Sequence, residues 1–348
     1  MSADVASPAA PPAGADTRAR RLVETFFRVR ELGIVGALAL LVAVTAILEP
    51  RFIELESLRD LLRNASLFAI MAVGQTLVLV TRNVDLSVSS VLALSAFLAG
   101  DLLSESGTPV VLVFVLAIGL GAACGLLNGV LVTFGRVPAL VVTLGTLYAF
   151  RGLAFLWTDG RQINAETLPD SYLDIGTGTI LGVPALAVIA FVVVLVVGYY
   201  LRSYRSGREL YAIGSNTQAA RLAGIRIDLR VCSAFVISGA LAGLAGALFT
   251  ARYGTVDATA GSGYELSVIA AAVVGGVAIT GGVGSVYGAA IGAVLMGCIT
   301  SSLIFLKIDA FWQQAAIGAL LLVAIAFDRF VGLRLDAALR QRSARRAA

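Results

Sequence analysis

The sequence predicts an all-α, polytopic membrane protein of about ten transmembrane helices, with both termini on the cytoplasmic side. Three observations carry that reading. Hydrophobic residues make up 58% of the chain and charged residues only 14%, with a mean hydropathy of +0.91, which is too apolar for a soluble core. Apolar runs of about 16 to 25 residues recur along the chain, the length that a bilayer core demands. Arginines gather in alternate connections, so that nineteen basic residues fall on one side of the membrane and six on the other. The richer side is the cytoplasm.

In chain order, residues 1–31 begin rich in Ala, Pro and Ser and end with Arg18, Arg20, Arg21, Arg28 and Arg30. That composition buries little and predicts a disordered, basic cytoplasmic segment. No small-residue cleavage site follows a short basic start, so the first apolar run, 33–48, reads as an uncleaved anchor that stops at Glu49-Pro50. The transmembrane domain occupies 32–328, with further spans near 61–81, 86–104, 109–133, 138–157, 179–201, 229–251, 264–281, 284–305 and 310–327. A basic cytoplasmic tail, 329–348, follows.

The loop at 202–230 carries six arginines between two apolar runs. Within it, residues 217–225 read as a short amphipathic helix, with Ala220, Leu222, Ala223 and Ile225 apolar, Gln218 and Arg221 polar, and Gly224 as its stop. On spacing alone, such a helix either docks a partner or lies on its own bundle or on anionic lipid. Outside, the acidic loop at 158–178 is either a landing surface for an external partner or merely solvated.

Glycines recur every four residues at Gly121, Gly125 and Gly129, at Gly239 and Gly243, and at Gly284, Gly288 and Gly292. Each stripe predicts close approach of another backbone. Gly275-Gly276 and Gly281-Gly282 flank Thr280 and predict an alternative, a broken helix near the cytoplasmic face.

Polar residues inside apolar runs are costly unless paired or wetted. Asn83, Asp85, Ser87 and Ser90 form the densest group, followed by Asn128, Thr143 and Thr146, while Glu265 opens a later helix from outside. Each has a structural reading beside a functional one. Asp85 caps a helix or lines a pathway; Asn128 and the threonines bond between helices or line it; Glu265 complements a helix dipole or marks the mouth.

Absent residue types narrow the function. Histidine is missing, which removes imidazole ligands and the usual proton shuttle, and Cys124, Cys232 and Cys298 lie far apart within apolar runs as small buried hydrophobes. No metal site and no catalytic set is therefore expected. The basic residues form no basic face, which speaks against nucleic acid, and no phosphate-binding loop with its lysine exists, so any energy source lies in another subunit.

Four segments in order, 74–100, 137–160, 207–225 and 260–293, resemble the inner-membrane permeases of bacterial ATP-binding cassette (ABC) sugar importers. The branch is that of ribose, xylose, arabinose and rhamnose, and it includes autoinducer permeases. The resemblance implies an ABC importer permease-like bundle in the bacterial inner membrane, embedded in lipid and paired with a second permease copy, identical or different. It further implies a cytoplasmic ABC ATPase subunit that uses ATP-Mg, no cofactor on this chain, and a periplasmic sugar-binding protein. The family's docking signature, E-A-A-x-x-x-G, is matched by Gln218, Ala219, Ala220 and Gly224, with glutamine in place of glutamate and Arg221 within it. The polar positions named above then become candidates for the translocation path. The start of the first helix and the phrase at 81–90 look most similar to rhamnose permeases, with ribose permeases second. An ion-coupled secondary transporter would share the hydropathy but needs intramembrane carboxylates, which are scarce, and a non-transporting scaffold would leave the polar positions unexplained.

Overall fold

The computed structural model describes residue 36, residues 38–309 and scattered positions between 312 and 322. The N-terminal basic segment, nearly all of the last apolar run (310–327) and the C-terminal tail lie outside the described residues. Helix α1, Leu38–Leu48, ends at Glu49, and Pro50 opens a 3₁₀ turn, because proline has no N–H to continue the ladder. There follow α2 (Leu55–Leu79), α3 (Val88–Ser106), α4 (Val110–Thr133) and α5 (Ala139–Thr158). Next come α6 (Asp170–Thr177), a hairpin of β1 (Thr179–Ile180) and β2 (Val183–Pro184), α7 (Ala185–Ser203), α8 (Arg205–Ser215) and α9 (Thr217–Leu222). The described chain closes with α10 (Ile227–Tyr253), α11 (Tyr264–Val274) and α12 (Val286–Phe305).

Among the described residues, seven helices, α2 to α5, α7, α10 and α12, are long and apolar enough to cross a membrane, while α11 is a shorter apolar helix and α1 is described from Leu38 onward. The ten spans expected from hydropathy are thus not all full spans. The run at 264–281 is the main difference, since its helix stops at Gly275 and the chain continues without helix through Gly276, Gly281 and Gly282, all at positive φ. Hydropathy registers apolar length and not the break, whereas the paired glycines do mark it. The acidic loop that starts at 158 holds α6 and leads into the hairpin, and the central loop holds two helices rather than one.

Helix α2 is the hub. Every residue from Ala65 to Leu79 is buried, and α7, α10, α11 and α12 pack directly against it. Helix α3 is wedged among α4, α5 and α10. By contrast α4, α5 and α7 expose Val115, Leu127, Leu144, Leu153, Val192 and Val196, the faces that a bilayer covers at little cost because lipid is as apolar as leucine.

Since hydrocarbon provides no hydrophobic drive between helices, packing at the centre depends on close contact. A Cβ on Gly121 would collide with the Gly239 carbonyl, one on Gly239 with the Gly121 carbonyl, and one on Gly125 with the Phe235 carbonyl. The same holds between α12 and α11, where Gly288 meets Gly275 and Gly292 meets Ala271. The stripes therefore seat α4 on α10 and α12 on α11. All three cysteines are buried and free, with Cys232 filling the α10 side opposite Gly129. Replacing Gly239 by Leu should abolish the assembled, monodisperse protein in detergent, a loss beyond the usual overpacking cost of about 1–3 kcal/mol because backbone must move. Gly119→Leu, where the added carbon meets nothing within 4 Å, should chromatograph like the parent.

Candidate functional site

Helix α9 stands on the arginine-rich face, fixed at both ends. The Asn216 side chain accepts the Ala219 N–H at 3.0 Å as N-cap. At the other end Gly224, at φ +76, lets its own N–H reach the Arg221 carbonyl at 3.0 Å while the Ile225 N–H reaches that of Ala220 at 3.1 Å. Of the expected docking residues, Ala220 is buried against the bundle, whereas Gln218, Ala219, Arg221 and Gly224 are exposed. Leu222, which the signature does not single out, is 91% exposed. An apolar side chain held in the aqueous phase on a capped helix is a knob without a hole.

Helix α8, which the sequence reading left as loop, is the base of that surface. Its signal was present: Leu210 and Ile213, spaced for one helical face, are buried together with Gly207 and Gly214. Glu209 joins α8 to α10 by accepting from Arg230 and, at 2.8 Å, from Arg205. Arg230 first, then Arg205, holds the Glu209 carboxyl below its ordinary value of 4.5. A carboxylate with a lowered folded-state value contributes stability that is complete above 4.5 and is lost as pH falls further. Thermal stability of the solubilised protein should therefore be unaffected by this clasp from about pH 8 to about pH 5. Below that range the parent should lose stability more steeply than Glu209→Gln, which starts lower and has no proton to take up.

The end of α8 meets two non-helical loops. Gly214 lies against the Val80 carbonyl and the Gly282 N–H, so closely that any side chain there would collide with both. The Gly282 N–H donates to the Val80 carbonyl at 2.9 Å, and the Tyr211 hydroxyl to the Gly284 carbonyl at 3.1 Å. Loop 80–87, between α2 and α3, and loop 275–285, between α11 and α12, thus converge on the end of α8 that leads into α9. Arg82 donates to the Gly214 and Ser215 carbonyls.

Behind that junction the polar positions form one buried network. Asn128 donates to the Ser87 hydroxyl at 2.8 Å, and Ser87 donates through both its hydroxyl and its N–H to one Asp85 oxygen, at 2.7 and 2.9 Å. Gln75 pairs through its amide with the Asp85 backbone N–H and carbonyl, each at 3.1 Å. The Thr143 hydroxyl lies 3.2 Å from the Val84 carbonyl and 2.9 Å from that of Ala139. Ser90 donates to Leu147 at 2.7 Å, and Thr146 lies 3.4 Å from the Thr143 carbonyl. Asp85, Ser87, Ser90, Asn128, Thr143 and Thr146 are all buried, so in this protomer they pin loop 80–87 to α4 and α5 and open on no surface. Asn83, half-buried, bonds within its own turn to Thr81.

At the far end of α10 from α9, loop 254–263 is tied by backbone pairing of Ile163 with Val256 and by Arg151, which donates to the Ala258 and Ala260 carbonyls at 2.8 Å. It borders an open cleft of about 320 Å³ lined by Gln162, Tyr253, Asp257, Thr259, Ser262 and Tyr264, among others. Glu265, half-buried, sits in the first turn of α11 beside Tyr264. Asp257, Thr259 and Ser262 escaped the sequence reading because they lie in a loop with no periodicity.

This arrangement of glycine-seated spans, broken helices and an external helix on the arginine-rich face defines a transport permease. The chain belongs to the family described as the permease component of the branched-chain amino acid transport system, which matches residues 57–325. It is 37% identical over 86% of its length to the ribose import permease protein of Haemophilus influenzae, 93% of which is covered. To the autoinducer 2 import system permease protein of Escherichia coli it is 36% identical, with 90% of each chain covered. A further relative is the corresponding autoinducer 2 permease of Photorhabdus luminescens, at 36% identity over 86% of this chain and 89% of that one. No solved structure matches. The protein is thus a multi-pass inner-membrane permease of the sugar-importer branch that the four sequence segments resemble.

Proposed function

We propose that the chain is the membrane-spanning subunit of an ABC importer for a monosaccharide, fed by a periplasmic binding protein and driven by a cytoplasmic ATPase that binds α9. The observation that carries this reading is the capped helix α9 with Leu222 held in water. A channel or an ion-coupled transporter has no use for such a knob, and a subunit energised by another protein does. Two permease copies, alike or different, enclose the path, and ATP-Mg is consumed by the partner. The ribose and autoinducer 2 permeases at 36–37% identity support a sugar of the ribose type. The rhamnose-type reading rests on the resemblance of the first helix and of residues 81–90 alone.

The outer end of the path is assigned to the cleft at loop 254–263. Exposed Asp257, Thr259 and Ser262 there offer hydrogen bonds, and Tyr253 and Tyr264 offer ring faces for sugar C–H groups. The buried network of Asp85, Ser87, Asn128 and Thr143 then supports the path without touching the solute in this conformation.

Two outcomes test these assignments. Leu222→Asp and Gly224→Val, the latter forcing a β-branched residue into a left-handed backbone at a cost of about 1–2 kcal/mol, should leave the permease inserted but reduce co-purification of the ATPase and abolish uptake. Arg221→Ala should do less, since a rim charge governs encounter more than affinity. Normal uptake by both of the first two variants would overturn the docking assignment. For the cleft, Asp257→Ala combined with Tyr253→Leu should raise the KM of uptake several-fold with little change in maximal rate. The purified parent in nanodiscs, without binding protein, should bind ribose no tighter than ~1 mM. Micromolar binding by calorimetry would show that the permease itself, rather than the delivered partner, carries specificity.

A further inference from the structure

Arg82 has φ +66, a left-handed backbone that disfavours side chains and is the natural place for glycine. A strained residue persists where its surroundings require the side chain, and the place where this one is used is the end of α8. The last carbonyls of a helix have no partner within it. In α8 each has one, the last two from outside the helix. The Ala212 carbonyl takes the Asn216 N–H at 3.1 Å and that of Ile213 takes the Thr217 hydroxyl at 2.9 Å. The Gly214 and Ser215 carbonyls both take the Arg82 guanidinium, through Nε and Nη2. A fixed cation at a helix C-terminus is also favoured by the helix dipole.

We infer that Arg82 is the residue through which movement of the docking helix reaches the membrane bundle, a positioning role that rests on α9 being the ATPase contact. The connections on either side are stiff. Asn216, which follows the two carbonyls Arg82 holds, is the N-cap of α9, so α8 and α9 move with the Arg82 attachment point. On the other side, Arg82 is three residues from Asp85, which Gln75, Ser87 and Asn128 tie into α2, α3 and α4. A shift of α9 therefore pulls on loop 80–87 at Arg82 and, through that loop, on three helices. Gly281, against the Arg82 side chain and backbone, and Gly282, bonded to Val80, bring the α11–α12 loop into the same movement. Lysine would not substitute fully, because a single ammonium cannot present two donors in the planar geometry that the adjacent carbonyls meet.

The test compares Arg82→Gly, Arg82→Lys and Leu222→Asp with the parent, each co-expressed with ATPase and binding protein in proteoliposomes. Glycine suits the backbone at this position, so R82G should insert, assemble and co-purify with the ATPase as the parent does. Its maximal uptake rate should fall at least about tenfold, the scale of losing two hydrogen bonds to a charged group, with KM unchanged and ATP hydrolysis continuing. R82K should retain an intermediate rate. Hydrogen exchange at residues 214–225 should quicken in R82G alone of the two arginine variants.

Parental uptake in R82G would overturn the inference. So would failure of R82G to assemble, or a loss of ATPase binding in step with uptake, because Arg82 would then only shape the fold or the docking surface. Loss of uptake in Leu222→Asp beside normal uptake in R82G would remove Arg82 while leaving the docking assignment standing. Normal uptake in both would remove the docking assignment itself.

Discussion

Backbone polar groups have no water to turn to inside a bilayer, and that constraint organises this protein more than any side-chain preference. Helices meet it internally, but α2 ends at Leu79, α11 ends at Val274 and α8 ends at Ser215, all near one face. Their free ends satisfy each other. Gly282 N–H meets Val80, the Gly284 carbonyl meets the Tyr211 hydroxyl, and Arg82 takes the last carbonyls of α8. The glycine at 214 is what permits three backbones to converge there. A junction formed to satisfy backbone thereby joins α8 to the loops that follow α2 and α11.

A second consequence concerns where the chain can change shape. The seams between α4 and α10 and between α12 and α11 bring backbone against backbone at Gly121–Gly239, Gly125–Phe235, Gly288–Gly275 and Gly292–Ala271. Such seams slide poorly and transmit movement as rigid units. Loops 80–87 and 275–285 are different, because their bonds run to other elements and can be exchanged. The buried chain Asn128 to Ser87 to Asp85 stiffens the first of them on one side, while at the α8 junction it is held by Arg82 and by the bond from the Gly282 N–H to the Val80 carbonyl.

The sequence was legible where the physics is local or periodic. Membrane class and the glycine seams follow from composition and a four-residue repeat, and the α9 stop at Gly224 follows from one residue type. It was less legible where hydropathy and backbone part company. An apolar run from 264 to 281 looks like a span, yet the chain leaves the helix at Gly275, and only the paired glycines told of it. Asp85, Asn128 and Thr143 were singled out correctly as unusual in apolar surroundings, but polarity alone does not separate a residue that faces a path from one that bonds to a neighbouring loop. Arg82 shows the limit in another form: an arginine beside an apolar run reads as a headgroup anchor, and its partners are carbonyls some 130 positions away, which no local pattern encodes.

Weak contact with the solute fits this division of labour. Among the described residues, the carboxylate buried within the bundle, Asp85, is engaged with Ser87 through one oxygen. The groups that do face open space lie at the outer cleft and at α9. A permease arranged in this way need not bind its cargo tightly to select it, because tight binding would slow release on the far side. Selection is better placed in a delivering partner and energy in a second one. What remains for the membrane subunit is to convert a push on an external helix into relative movement of rigid, glycine-seated helix pairs.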